Sequence, residues 1–206
     1  MFIETSDPAY KSSLFNSIVA PRPIGWISTI DRSGAVNLAP FSYFNGLSAT
    51  PPLLMFACNQ PADRPEKDTL ANVRETGEFV ANLATYSLRE EVNLTSSTVP
   101  RGIDEFDVAG LRKAPSRLVK PPQVAASPAA MECRVLRIVD IEPEHAAERR
   151  SSVVIGRVVA LRIDDAYLDR NGRFDVLKAE PIARLGGFNY LAVRELFELN
   201  RPAGGE

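Results

Sequence analysis

Lys67, Asp68 and Thr69 open "KDTLANVRETG", a stretch in which Leu70, Val73 and Arg74 keep helical spacing and Gly77 can close the helix. The first turn of a helix leaves backbone N–H groups without partners. An ammonium and a hydroxyl beside them make a seat for a phosphate. Asp68 works against this, because a carboxylate repels phosphate; as an N-cap turned into the first turn it would not interfere. An ordinary helix start explains the same three residues equally well.

A second stretch, "NLAPFSYFNGLSATPPLLMFAC" (residues 37–58), sets polar side chains tightly among core-forming ones. Buried polar groups need partners. Trp26, Phe41, Tyr43 and Phe44 can wall a slot for a flat heterocycle while Asn37, Ser42, Asn45 and Ser48 supply hydrogen bonds to its edge. A tightly turned, internally hydrogen-bonded core corner accounts for the same pattern, and both readings stand.

Other chemistries find little support. GxGxxG, the Walker loop, GxSxG and HExxH are absent. The sole histidine, His145, lies in the charged connector "EPEHAAERR" and reads as a solvated or loop-capping residue. Cys58 and Cys133 sit in apolar runs with no metal or redox spacing, so they are expected to be plain buried thiols, and no zinc site is expected. The acidic pairs Asp164-Asp165 and "DEFD" (104–107) read as turn acidity. With Lys plus Arg at 24 against Asp plus Glu at 26, no field draws nucleic acid. No charged, apolar leader precedes the first motif and no apolar run is long enough to cross a bilayer, so a soluble, cytoplasmic protein is expected.

The elements that must carry these residues read mostly as strands. "IGWISTID" and "RSGAV" form a strand, a Ser33-Gly34 break and a second strand, with Trp26, Ser28 and Ile30 alternating onto one face. "PPLLMFAC" is apolar on both faces and is expected to be central. "EFVANLAT", "MECRVLRIVDI" and "SSVVIGRVVALRID" are further strands. "SLREEVNL" offers a capping box in Ser87 and Glu90 before a short helix. Residues 96–130 form a proline-rich excursion, Asn171-Gly172 a possible hairpin turn, and "LAVRELFEL" a strand or short helix. Sixteen prolines and twelve glycines suit many turns. One all-β barrel with peripheral short helices, spanning residues 1–206 as a single domain, is the expected architecture.

Three blocks in order, "PRPIGWISTIDRSGAVNLAPFSYFNGLSATPPLL", "KDTLANVRETGEFVANL" and "ARLGGFNYL", resemble the flavin reductase-like, FMN-binding split-barrel family, which includes flavoredoxins and reductase components of two-component monooxygenases. The resemblance covers about residues 10–195. It implies a Greek-key split β-barrel, a homodimer, and one FMN per subunit near the subunit contact. By the same resemblance, the block Asn37 to Asn45, with Ala39, Pro40, Ser42 and Tyr43, would follow the isoalloxazine and ribityl chain, and Ser48 would continue it. Lys67 and Thr69 would approach the phosphate. Trp26, Ser28 and Thr29 would floor the pocket, and Arg184, Gly186, Gly187 and Tyr190 would close on it. The implied reaction is reduction of FMN by NAD(P)H, with electrons passed to free flavin or a partner protein; no residue is assigned an acid or base role. An electron-carrying flavoprotein without efficient nicotinamide oxidation, or a small-ligand barrel, are the alternatives. Arg162 stands where many relatives carry a histidine, which leaves the identity of donor and acceptor open.

Overall fold

The computed structural model describes residues 2–145, 148–200 and 202. A short helix, α1 (Ser12–Ile18), precedes strands β1 (Arg22–Pro23), β2 (Gly25–Ile30), β3 (Val36–Phe41), β4 (Phe44–Ala49) and β5 (Pro52–Asn59). Helix α2 (Asp68–Thr76) leads into β6 (Glu78–Leu83), and α3 (Arg89–Leu94) and α4 (Glu105–Val108) follow. The rest comprises β7 (Lys113–Ala114), β8 (Gln123–Val124), the long pair β9 (Ala129–Ile141) and β10 (Ser151–Ile163), α5 (Val176–Ala179), β11 (Ile182–Arg184) and β12 (Tyr190–Ala192).

Seven strands form one antiparallel sheet in the order β3-β2-β6-β9-β10-β5-β4, beside a three-stranded β1-β11-β12 ribbon and a β7-β8 pair. The large sheet curls on itself into a split β-barrel. Phe41 on β3 and Phe56 on β5 are far apart in strand order, yet their rings lie 5.1 Å apart, and Phe79 on β6 meets Phe56 edge-on at 5.2 Å. Ile27, Leu54, Cys58, Cys133 and Val154 fill the space around these rings. Each such side chain, fully buried, contributes roughly 1.5–3 kcal/mol. The Ala57 N–H donates to the Tyr43 carbonyl at 2.8 Å and fixes the β3–β4 corner against β5.

A second core lies outside the barrel, where Trp26, Leu38, Phe106 and Val124 pack with Val92 of α3. Alternation along β2 feeds both cores: Ile27 faces the barrel interior and Trp26 the outer layer, and neither is exposed.

Several expectations change. β5 is next to the sheet edge, not central; Leu54, Phe56 and Cys58 are buried while Leu53, Met55 and Ala57 are half-buried, so its second face is only partly covered. Lys67, not Asp68, occupies the N-cap of α2, without a side-chain cap; Gly77 ends the helix in the left-handed region at φ 71°. No capping box forms at α3, because Leu88 precedes it and Ser87 Oγ instead lies 3.0 Å from Thr85 Oγ1. Around Asn171-Gly172 the Asp169 carboxylate accepts from the Asn171 and Arg173 N–H groups, leaving a single Leu168–Phe174 bridge rather than a strand hairpin. Of "LAVRELFEL" only Leu191 and Ala192 join a strand.

Two glycines of the barrel strands are demanded by close approach to core rings. A Cβ at Gly25 would stand 2.3 Å from the Phe44 ring, and one at Gly156 2.4 Å from the Phe79 ring. Both rings are held by the barrel core. Gly156→Ala is therefore expected to lower unfolding free energy by about 1–3 kcal/mol, read from urea denaturation; an unchanged midpoint would contradict this packing.

Candidate functional site

The first turn of α2, the middle of β3, the start of α4 and the segment 95–99 converge on one cleft of about 190 Å³. A buried chain of hydrogen bonds joins three of these elements. Thr69 Oγ1 donates to Asn37 Oδ1 at 3.1 Å, and Asn37 Nδ2 donates to Glu105 Oε2 at 3.1 Å. The same carboxylate oxygen accepts the Leu38 N–H at 2.9 Å. Glu105 is 6% exposed, and burial pushes its pKa above the ordinary value, against the pull of the donors from Leu38 and Asn37.

Opposite this chain stand two cations. The Lys67 ammonium lies 5.1 Å from the centroid of the Phe41 ring. Arg64 donates to the Val99 carbonyl at 3.2 Å and pairs with Asp68, four residues on, at 3.3 Å. Asp68 also lies 3.9 Å from Arg101, so cations on two sides offset its repulsion of an anion. Ser96, Ser97 and Thr98 complete the wall. Their segment is anchored from below: the Trp26 indole donates to Thr95 Oγ1 at 2.9 Å, and that hydroxyl donates to the Val92 carbonyl at 3.0 Å.

Of the residues the sequence singles out, Asn37, Ala39, Pro40, Lys67 and Thr69 line this cleft. Trp26, Ser28 and Thr29 have no exposed surface. They underlie it: Ser28 donates to the Pro122 carbonyl at 2.5 Å, and Asn72 of α2 donates to Thr29 Oγ1 at 3.1 Å, holding the helix on β2. The others lie elsewhere in the single chain. Tyr43 donates to Asn16 Oδ1 at 2.8 Å, Asn45 is exposed and accepts from the Gly46 N–H, Ser42 is half-buried, and Ser48 borders an apolar groove between β4 and β10. Arg184 bonds the Gly187 carbonyl and the Tyr190 hydroxyl, with its guanidinium 4.6 Å from the centroid of that ring.

Sequence reasoning missed Glu105, Arg64 and the hydroxyl run. "DEFD" is turn acidity only in part. Asp104 caps α4 by accepting the Phe106 N–H, whereas Glu105, one residue on, turns inward under β3. A signal for the hydroxyl run exists in "NLTSSTVP", four hydroxyl residues in a row before a valine and a proline. Arg162 has a structural role here. Its donors go to Gln123 Oε1 (2.5 Å) and to the Val124 (3.1 Å) and Ser127 (2.6 Å) carbonyls, which ties the β8 loop to β10. Cys58 and Cys133 are free and buried, their thiols pushed up to about 12 by burial. No helix among the described residues is long and apolar enough to cross a membrane.

Residues 18–178 match the sequence profile of the "Flavin reductase like domain". The chain belongs to the flavin reductase-like family. An uncharacterized protein of Aquifex aeolicus is 36% identical over 185 residues, 90% of either chain. Among solved structures, nitrilotriacetate monooxygenase component B from Bacillus cereus superposes with a TM-score of 0.86 at 29% identity, covering 97% of this chain and 100% of that one. Pseudomonas fluorescens 2-nitrobenzoate 2-nitroreductase gives 0.84 at 29% identity, over 100% and 98%. These two share the split barrel with this flavin reductase-like chain.

Because burial raises the folded-state pKa of Glu105 above the ordinary 4.5, the native state holds its proton to higher pH than the unfolded chain does. Stability contributed at this position is present below 4.5 and declines as pH rises through the folded pKa. Glu105→Gln is expected to remove that decline. Urea midpoints measured from pH 4 to 8 for both proteins test this, and parallel curves would contradict it.

Proposed function

We propose that this protein binds FMN and acts as an NAD(P)H-dependent flavin reductase, delivering electrons to free flavin or to a partner protein. The observation that carries the reading is the anion seat of the 190 Å³ cleft, found in a flavin reductase-like chain. Lys67, Arg64 and the first turn of α2, which has no side-chain cap, line it together with Ser96, Ser97 and Thr98. The donor set fits a terminal phosphate: two cations, free backbone donors and neutral hydroxyls around one opening.

When bound, FMN supplies the hydride-accepting and electron-passing chemistry that no side chain here offers. Lys67 and Thr69 would hold the phosphate end, with Thr69 oriented by its bond to Asn37. Ala39 and Pro40 would present β3 to the ribityl chain, and Asn37 would be kept in register by Glu105. Trp26, Ser28 and Thr29 would act from beneath, as the support of that surface.

A cleft of 190 Å³ is smaller than the ~300–1,000 Å³ usual for whole-ligand pockets. This supports a homodimer in which Ser42, Tyr43, Asn45, Ser48, Arg184 and Tyr190, outside the cleft, meet the flavin at a subunit contact. Similarity to a protein named as a monooxygenase component supports a protein or flavin acceptor. We place the reaction in the cytoplasm.

Lys67→Ala is expected to weaken FMN binding about tenfold or more while leaving riboflavin, which lacks the phosphate, nearly unchanged; flavin fluorescence quenching reads both, and equal losses would remove Lys67 from this role. Anaerobic mixing of the FMN-loaded protein with NADH and with NADPH should bleach the flavin absorbance with at least one of them. Nicotinamide oxidation no faster than with free FMN would replace the reductase by an electron carrier.

A further inference from the structure

Two carboxylates line the phosphate cleft, Asp68 and Glu105, and they are balanced differently. Asp68 has cations on two sides, Arg64 at 3.3 Å and Arg101 at 3.9 Å. Its charge is met before any ligand arrives. Glu105 has no ion pair among the described residues. The donors that reach it are neutral: the Leu38 N–H at 2.9 Å, the Asn37 amide at 3.1 Å and its own N–H. The first two both go to Oε2. Oε1 receives no side-chain donor among the described residues, yet the fully buried side-chain atoms left without a partner there are Arg22 Nε and Glu91 Oε2. Oε1 therefore keeps a trace of open surface, and the cavity that Glu105 lines is the cleft.

The charged groups around Glu105 do not neutralise it. On α2, the Asp68 carboxylate pushes its pKa up, adding to the larger effect of burial. Lys67, at the N-cap of that helix, lies 5.1 Å from the centroid of the Phe41 ring. On its own helix, α4 and its cap, Asp107 and Asp104 are held by Lys113 at 3.3 and 2.5 Å. The cleft-lining parts of β3 and the segment 95–99 carry no charged side chain.

We propose that Glu105 meets the FMN phosphate as a neutral carboxylic acid: one proton is taken from solvent onto Oε1 as the ligand enters, and that O–H donates to a phosphate oxygen. The inference rests on the FMN reading and concerns how the same seat accepts its anion. A phosphate monoester carries close to two negative charges above pH ~6. Beside an ionised, uncompensated carboxylate it is repelled, and protonation turns that repulsion into a hydrogen bond. The Leu38 and Asn37 donors use Oε2 alone, so a proton on Oε1 leaves them in place. Asp68 stays ionised because its cations are already present. Proton uptake makes FMN affinity fall as pH rises, by up to about tenfold per pH unit wherever the loaded protein holds the proton and the empty one does not.

Calorimetric titration of the full chain, stripped of any bound flavin, with FMN and with riboflavin tests this. It is run from about pH 7 to 9, above the titration of the phosphate itself, in buffers of different ionisation enthalpy. FMN is expected to bring uptake of close to one proton per site within this range and to bind more weakly as pH rises. Riboflavin, which shares the ring and lacks the phosphate, is expected to bring none. Glu105→Gln keeps an acceptor for Leu38 and Asn37 and cannot titrate, so it is expected to bind FMN with neither uptake nor pH slope. The comparison of FMN with riboflavin needs no variant and decides the matter even where Glu105→Gln fails to fold. FMN binding without uptake, equal uptake with riboflavin, or unchanged uptake in Glu105→Gln would each overturn the proposal while leaving FMN as the ligand. Absence of FMN binding at every pH would instead overturn the FMN reading, and this inference with it.

Discussion

The open edge of β3 is closed by a buried carboxylate, and the site is built outward from that contact. β3 ends the seven-stranded sheet, so the Leu38 N–H has no strand beyond it to pair with. Left bare beneath α4, that donor would cost about 1–3 kcal/mol. Glu105 supplies the acceptor and with the same oxygen holds the Asn37 side chain. Burying a carboxylate is itself costly, and its raised pKa records that cost. The gain is positional: Glu105 aligns Asn37, Asn37 aligns Thr69, and Thr69 belongs to the first turn of α2. An edge strand that would otherwise invite pairing with another chain becomes one wall of a cleft.

The cleft can be rigid because the strand behind β3 is buried on both faces. β2 sends Ile27 into the aromatic barrel core and Trp26 into the outer layer. Its polar side chains are used as joints. Ser28 bonds the Pro122 loop, Thr29 receives Asn72 of α2, and the Trp26 indole reaches Thr95. Each joint fixes a helix or loop from which the strand ladder cannot recruit backbone bonds. The polar-in-apolar stretch divides by position. Asn37 belongs to a satisfied, buried network that also borders the cleft, whereas Asn45 is exposed on β4 and serves its own turn.

Strand identity was legible because alternation and β-branched runs are local: β2 and the long β9-β10 pair are where the sequence places them, whereas β3 begins at Val36, the last residue of the expected "RSGAV" strand, and runs on to Phe41. Helix α2 was legible too, through its spacing and Gly77. Sheet order was not. The apolar run of β5 looks central, but nothing local says that β4 will occupy its outer side and end the sheet. Glu105 was illegible for a related reason. A carboxylate in "DEFD" acquires its role from a strand 67 residues earlier in the chain, so only the tertiary fold distinguishes it from Asp104 beside it. The contacts of Arg162 were just as illegible: its donors are spent on one side chain and two loop carbonyls from a segment 35 to 39 residues away.

Helix α3 shows how little structure is needed to separate two chemistries. It has six residues and buries one of them, Val92. A helix so short is not stable by its own hydrogen bonds. Its C-terminal end is held by Thr95, whose hydroxyl donates to the Val92 carbonyl and accepts from Trp26, and by Ser96, whose N–H and hydroxyl both bond the Asn93 carbonyl. Those same bonds anchor the segment that lines the cationic cleft. Val92 and Asn93 of the same helix line a separate concavity of about 220 Å³ beside the β11-β12 ribbon. One turn and a half of helix, pinned at a single tryptophan, thus divides a polar, anion-accepting surface from an apolar one, and any change in the seat of Trp26 must be felt on both sides.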